Sequence, residues 1–303
     1  MRPEIRRLAA GLPRAPGVYR FRDARGRVLY VGRATELRAR VGSYGGDLRD
    51  RRHLRRMVPA VTRVEAVACD SVHEAAWLER NLLEESLPRW NRTAGGEEVP
   101  AYLRLDARPA TAGLRLTHEA GPPVAGVRIF GPYLGGTRAR LAVSALHRVH
   151  PLAAAGSTLT GAERELAARR GVSAADRAEL AEGVAAVLRR DPVAVAAALA
   201  ELVRVRDRAA AALAFELAGR VRDEIRALAW VTAAQQVTAL EPVDLAVQGW
   251  AEGWLVTFAV RAGRVRAWSQ RRSVRPPPEP PPAWAAFARR NAELAATLAR
   301  LAE

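Results

Sequence analysis

Two tyrosines, two arginines and one glutamate define the chemistry that this 303-residue sequence could perform. Tyr19 and Tyr30 lie near the outer ends of two alternating runs, "GVYRFRD" and "RVLYVG", on either side of a turn at residues 24–26. That pattern reads as a β-hairpin. With the turn at Ala24 and Arg25, Phe21 is expected opposite Val28 and Tyr19 opposite Tyr30, both phenols on one sheet face. Such a pair can also do no more than pack. Arg33 and Arg40 follow seven residues apart, two helical turns, so a helix over "ATELRARVGSY" that starts early enough carries both on one side. A solvated basic face has the same pattern, and Glu36 stands four residues before Arg40, within pairing reach.

A second helix is expected over "SVHEAAWLERNLLEESL", opened by a capping box of Ser71 and Glu74 and stopped by Pro88. Stepped at about 100° per residue, Glu79 falls inside the apolar stripe of Ala75, Leu78, Leu82 and Leu83, while Glu74, Glu84 and Glu85 fall on the other side. A carboxylate on a core-facing stripe is costly unless it is paired or bound to a metal. A buried Glu79–Arg ion pair and a metal site both answer that cost. Taken together, the set suits phosphodiester hydrolysis. Magnesium takes one or two carboxylates and keeps several waters, leaving room for a phosphate. Cation and arginine then share the charge that builds on the phosphoryl oxygens. A tyrosine can serve as base only if its pKa is pulled down, and nearby positive charge acts in that direction.

These positions match a known pattern. Residues 11–93 resemble the GIY-YIG nuclease domain in its UvrC form, with "GVY" (17–19) for GIY and "YVG" (30–32) for YIG. "LPRAPGVYRF", "LYVGRATELRARVGSY", "EAAWLERNLL" and "LPRWN" keep that family's order and spacing. The resemblance implies roles. Tyr19 would be the general base or water-positioning group, and Tyr30 would support nucleophile and phosphate. Arg40 would stabilise the pentavalent phosphate, and Glu79 would be the single metal ligand. Asn91 would close the site. Arg33 stands where the family has a lysine; it keeps the charge but does not readily release a proton. Tyr44, in a "SY" that follows the arginine helix, would be structural or touch DNA. One Mg²⁺ or Mn²⁺ is implied, and no Fe–S cluster.

Charge supports a polyanionic partner. The net charge is +16, and all 48 basic residues are arginine. Residues 1–63 hold 17 Arg against five acids, a net of +12. Such a patch is the footprint of phosphate binding. Arg20, Arg22, Arg38, Arg51, Arg52 and Arg55, with Tyr44, are the expected DNA contacts. The single cysteine, Cys69, excludes an internal disulfide and a cysteine-built metal centre. With no signal or membrane-spanning pattern in the sequence, a cytoplasmic, nucleoid-associated protein with no membrane partner is expected.

The fold class expected is α/β: a three-stranded antiparallel sheet with flanking helices, then a mainly helical region, then a β-hairpin plus helix. Four segments are expected: 1–98, the nuclease domain; 99–155, an extended connector with "FGPY"; 156–240, helical; and 241–303, strands, a Pro-rich linker and a helix. Within the third, the stretch at about 195–230 resembles the UVR hairpin through which UvrC meets UvrB. Phe215, Glu216, Arg222, Asp223 and Ile225 are the matching positions, and an ordinary amphipathic hairpin fits the pattern equally. Residues 243–272 resemble at best the opening strands of the family's second, RNase H-type nuclease. About 60 residues cannot build that fold with its acidic site, so one kind of cut is expected, as in the short Cho branch and its 3′-side incision. The rival readings are a catalytically idle DNA-binding repair scaffold and a GIY-YIG nuclease acting on branched or invading DNA.

Overall fold

Hydrophobic alternation builds three small antiparallel sheets, each of three strands, among the residues described. The computed structural model describes residues 3–46, 54–93 and 98–302. In chain order the elements are α1 (Pro3–Ala10), β1 (Gly17–Arg22), β2 (Val28–Ala34), α2 (Leu37–Gly42), β3 (Arg63–Ala68) and α3 (Val72–Glu85). Then come β4 (Pro100–Asp106), β5 (Gly113–Thr117), β6 (Val127–Leu134), α4 (Gly136–Val149), α5 (Gly161–Arg169), α6 (Arg177–Leu188), α7 (Pro192–Ala211) and α8 (Phe215–Val231). The chain closes with β7 (Leu245–Ala251), β8 (Trp254–Arg261), β9 (Arg264–Arg272) and α9 (Pro282–Ala302). Helix α1 turns one apolar side, Ile5, Leu8 and Ala9, into the core.

The four expected segments assemble as two units. One joins residues 1–97 to 234–303, and the other is 98–233. In the second unit the order β5-β4-β6 makes a sheet whose Leu103, Leu105 and Leu114 pack with Leu146, Leu188, Leu202 and Leu228 of the helices. Asp191 caps α7 through the Ala194 N–H, and Pro192 opens the helix. The carboxylate of Glu224 is fully buried there and accepts from Arg148 at 2.7 and 3.0 Å and from Ser144 at 2.7 Å.

In the first unit the sheet order is β2-β1-β3. One face carries Tyr19, Phe21 and Tyr30 into a core with Leu12, Leu37, Val41, Leu54 and Met57, completed by Leu294 and Leu298 of α9. The other face lies against α3. Strand β9 of the C-terminal meander β7-β8-β9 packs along that helix and also reaches β1, where Trp268 meets Arg20, so α3 is met by strands of two sheets. The expected C-terminal hairpin is β8–β9, turned at Ala262 and Gly263 with positive φ and extended by β7. At Gly249 the helix α9 crosses β7 so closely that a Cβ would lie 2.1 Å from the Ala288 carbonyl oxygen.

A three-stranded sheet leaves two edges with unpaired backbone groups. Two asparagine amides cap them. On β2, Asn91 accepts from the Val31 N–H at 2.9 Å and donates to the Val31 carbonyl at 2.8 Å. On β3, Asn291 accepts from the Ala68 N–H at 2.7 Å and donates to its carbonyl at 3.2 Å. Asn291 is 1% exposed, so Asn291→Ala leaves the buried Ala68 N–H unpaired, at a cost of about 1–3 kcal/mol, and leaves its carbonyl to Arg290 at 3.3 Å. The expected result is a lower urea midpoint with an unchanged slope, read by circular dichroism.

Candidate active site

The hairpin that supplies the tyrosines is wider than a two-residue turn. The Asp23 carboxylate accepts from the Arg25 and Arg27 N–H groups at 3.0 and 2.9 Å, Gly26 takes φ 75°, and the register slips between Phe21 and Arg22. Phe21 therefore faces Tyr30, and Tyr19 faces Gly32. The expected pairing of Tyr19 with Tyr30 is out by two residues. A two-residue shift returns each side chain to its face, so Tyr19 and Tyr30 still share a side, ring centroids 6.2 Å apart.

Tyr44 completes the cluster. Its hydroxyl lies 2.7 Å from that of Tyr19, and its ring meets those of Tyr19 at 5.9 Å, Phe21 at 5.0 Å and Tyr30 at 6.4 Å. It is 1% exposed, so it supports the tyrosines from below, and the DNA-contact reading of this residue gives way. The Gly that follows Tyr30 and Val31 has a steric reason. A Cβ on Gly32 would lie 2.7 Å from both the Tyr19 hydroxyl oxygen and Tyr30 Cε1.

The arginines arrive from two elements. Arg33 belongs to β2 and α2 begins only at Leu37, so the shared helical face expected for Arg33 and Arg40 does not exist. Both nevertheless line one cavity of about 660 Å³, with Tyr30, Glu36, Ser43 and Glu79. Strand end and helix side open on the same space. The Arg40 guanidinium stands 5.9 Å over the Tyr44 ring, and its buried Nε has no hydrogen-bond partner among the described residues.

Glu79 reaches this cavity from α3. Its carboxylate accepts from the Arg33 N–H at 3.0 Å and pairs with Arg33 Nε at 3.3 Å. The side chain is 21% exposed, so it forms the cavity wall and is not sealed in the core. The donor set fits one hard divalent cation. No group of three or more His, Cys, Asp or Glu side chains gathers among the described residues. A cation here would therefore rest on the Glu79 carboxylate and keep most of its waters, as magnesium does. Asn91 stays outside the cavity lining and acts on it through Val31 of β2.

Burial reverses the expected tyrosine electrostatics. It pushes the Tyr19 phenol well above its ordinary value, with Tyr44 and Tyr30 adding to the effect and Arg40 opposing it weakly. Tyr30 is raised as well, first by burial and then by Tyr44. Both remain neutral phenols, able to donate and accept but not held as phenolates.

The expected DNA-contact arginines divide. Arg20 is buried: it pairs with Glu65, donates to the Trp268 carbonyl at 2.9 Å and stacks 3.8 Å from the Trp268 ring centroid. Desolvation lowers its pKa to about 10. Arg22 joins the same carboxylate at 2.8 Å. Strand alternation turns both away from Tyr19, and β9 covers that face. Arg38 and Arg55 are exposed, whereas Arg51 and Arg52 lie outside the described residues. Of the hairpin positions in the second unit, Phe215 is 68% exposed, and Glu216 and Arg222 are exposed too. Asp223 sits between Arg222 and Arg226, at 3.6 and 3.4 Å, and Ile225 packs inward.

Known proteins are similar to this chain over the same stretch. The family model described as the UvrC-like GIY-YIG domain matches residues 15–92. The UvrABC system protein C of Geobacter sp. (strain M21) is 36% identical over 141 residues, 46% of this chain and 21% of that protein. Its counterpart from Mycobacterium sp. (strain KMS) is 34% identical over 281 residues, 87% of this chain and 41% of that one. The chain thus spans well under half the length of these relatives. Among solved structures, the GIY-YIG N-terminal endonuclease domain of UvrC from Thermotoga maritima, bound to its catalytic magnesium, is 29% identical. The match covers 30% of this chain and all of that one, with a TM-score of 0.28. The packing over Gly32 is directly testable. Gly32→Ala is expected to cost about 1–3 kcal/mol by overpacking, seen in urea unfolding, and to alter the near-ultraviolet tyrosine signal of the folded protein.

Proposed function

We propose that the UvrC-like GIY-YIG domain carried by residues 15–92 is a working DNA endonuclease that hydrolyses one phosphodiester bond in nucleotide excision repair. The observation that carries this reading is the meeting of Tyr30, Arg33, Arg40 and Glu79 on one cavity, with Tyr19 and Tyr44 hydrogen-bonded directly beneath it. An idle scaffold has no need to keep a carboxylate at the wall of such a cavity.

A divalent cation on Glu79, magnesium or manganese, would supply Lewis-acid neutralisation of the scissile phosphate. The chain's own groups do the rest. Arg40, packed against Tyr44, offers fixed positive charge to the phosphoryl oxygens. Arg33 holds Glu79 from the strand side and meets the incoming strand. Tyr30 presents a neutral hydroxyl at the cavity wall, and Tyr19 orients the attacking water through the phenol network. Burial raises both phenols, so their proposed part is to position water and phosphate. Asn91 keeps β2 in place at Val31. Arg38 and Arg55 are exposed basic side chains that would follow the backbone, without reading bases.

The proposed cut is a single incision on the 3′ side, as the resemblance to the Cho branch implies. Its partner through the second unit would be UvrB, met by the exposed apolar tip of the α7–α8 hairpin, where Leu213, Phe215 and Leu217 stand out. Such a protein would work in the cytoplasm on the chromosome. No helix among the described residues is long and apolar enough to cross a membrane.

Purified protein with Mg²⁺ and a lesion-bearing duplex, with and without UvrB, tests the reading. Glu79→Gln and Arg40→Ala are each expected to lower kcat by about 10²–10³, the loss typical of one charge-stabilising group. Tyr19→Phe should reduce kcat with KM for DNA little changed, and EDTA should abolish cutting. Equal inertness of wild type and variants under all conditions sinks the enzyme reading. Cutting of branched DNA with indifference to lesions removes the repair assignment. Phe215→Ala and Arg222→Ala should weaken UvrB retention in a pull-down while leaving nuclease activity on naked DNA intact.

A further inference from the structure

Helix α3 has a second functional face. Glu74, Trp77, Asn81 and Glu84 recur at helical spacing, and at about 100° per residue they centre opposite Glu79 on the helix. Each meets a partner from residues 234–266. The Ser71 hydroxyl, at the N-cap, donates to the Ala234 carbonyl at 2.6 Å. Glu74 does not close the expected capping box on Ser71; its carboxylate accepts from the Asp70 and Gln236 N–H groups at 2.7 and 2.8 Å. Arg264 stacks 5.6 Å from the Trp77 ring centroid. Asn81 Nδ2 donates to Thr238 Oγ1 at 2.9 Å and to the Val237 carbonyl at 3.2 Å. Glu84 accepts from Arg266 at 2.8 Å and Arg264 at 3.4 Å.

We infer that this polar clamp sets the position of the Glu79 carboxylate, which makes residues 234–272 a working part of the nuclease site. Asn81, Thr238, Glu84 and Arg266 are positioning residues for the cation-binding group. The inference rests on the proposed cation role of Glu79. Directional hydrogen bonds from the N-cap to the last turn fix both the rotation of α3 and its height along the axis. An apolar stripe would fix neither so closely, because dispersion contacts tolerate sliding. On the cavity side Arg33 meets the Glu79 carboxylate through its N–H at 3.0 Å and its Nε at 3.3 Å. A helix that shifted toward that side would carry the carboxylate with it, and ligand sites tolerate about 0.5 Å of misplacement.

The test is Mn²⁺ binding by the full chain without DNA, followed by electron paramagnetic resonance, beside thermal melting. Wild type is expected to bind one Mn²⁺ that Glu79→Gln loses. Arg266→Ala combined with Thr238→Val should raise the Mn²⁺ dissociation constant about ten-fold, the effect typical of groups that orient a ligand. KM for DNA should be unmoved, and restoring the cation at 266 as Arg266→Lys should recover most of the affinity. The inference falls if the double variant melts like wild type and binds Mn²⁺ as tightly. It falls also if the affinity loss merely follows a lowered melting temperature and Arg266→Lys does not recover it. Equal Mn²⁺ binding by wild type and Glu79→Gln instead overturns the cation role itself, a failure seen before any clamp variant is made.

Discussion

A three-stranded sheet cannot shield both of its faces, and this constraint shapes the first unit. One face is closed by short helices and the tyrosine cluster. The other is closed by α3, a 14-residue helix that must also deliver a carboxylate to the cavity. A helix asked to pack and to place a charge needs support from behind. The chain supplies it from the far end of the sequence, in the meander β7-β8-β9 and the helix α9. Sheet edges are finished in the same manner, with Asn91 on one side and Asn291 on the other. The first unit is thus closed by residues more than 200 positions apart.

The chemistry of the cavity follows from the same economy. Tyr19 has no exposure, so its hydroxyl is useful only through Tyr44 and the groups above it. Desolvation governs its proton affinity, and the single nearby guanidinium, Arg40, is outweighed. A buried phenol network of this kind is a rigid set of donors and acceptors. It suits the fixing of a water and a phosphate oxygen better than the taking of a proton. Preorganisation of that sort lowers a barrier because no dipole needs to turn during reaction.

How much of this was legible in the sequence depended on where each partner lies. The strands, the face shared by Tyr19 and Tyr30, and the place of Glu79 on the α3 stripe came from local periodicity. The tyrosine face survived a register error because an even shift preserves side-chain parity. Arg33 and Arg40 were brought together for the wrong reason, since one lies on a strand, yet both ends open on the same cavity. Arg20 was expected to touch DNA, and Glu74 to close a capping box on Ser71. Their burying partners, Trp268 and Gln236, lie 248 and 162 residues away, and no local pattern announces a second sheet on that side. Tyr44 was underweighted because a lone tyrosine after a helix looks structural until its hydroxyl is seen to meet Tyr19.

The C-terminal segment changes meaning once its contacts are known. By resemblance residues 243–272 were at best the opening strands of an RNase H-type domain. In the structure Arg264 and Arg266 spend their charge on Glu84, and β9 covers the sheet face where Arg20, Arg22 and Glu65 form a closed ionic cluster. Three guanidiniums around one carboxylate, counting Arg63 at 3.3 Å, is a costly arrangement to bury. It is specific to the partner that covers it, because Trp268 both accepts from Arg20 and stacks on it. An apolar seam would have held the two sheets with less penalty but with freedom to slide. The ionic cluster on one sheet and the polar stripe on α3 select the same docking geometry from two directions, and that shared selection is what fixes the helix that carries Glu79.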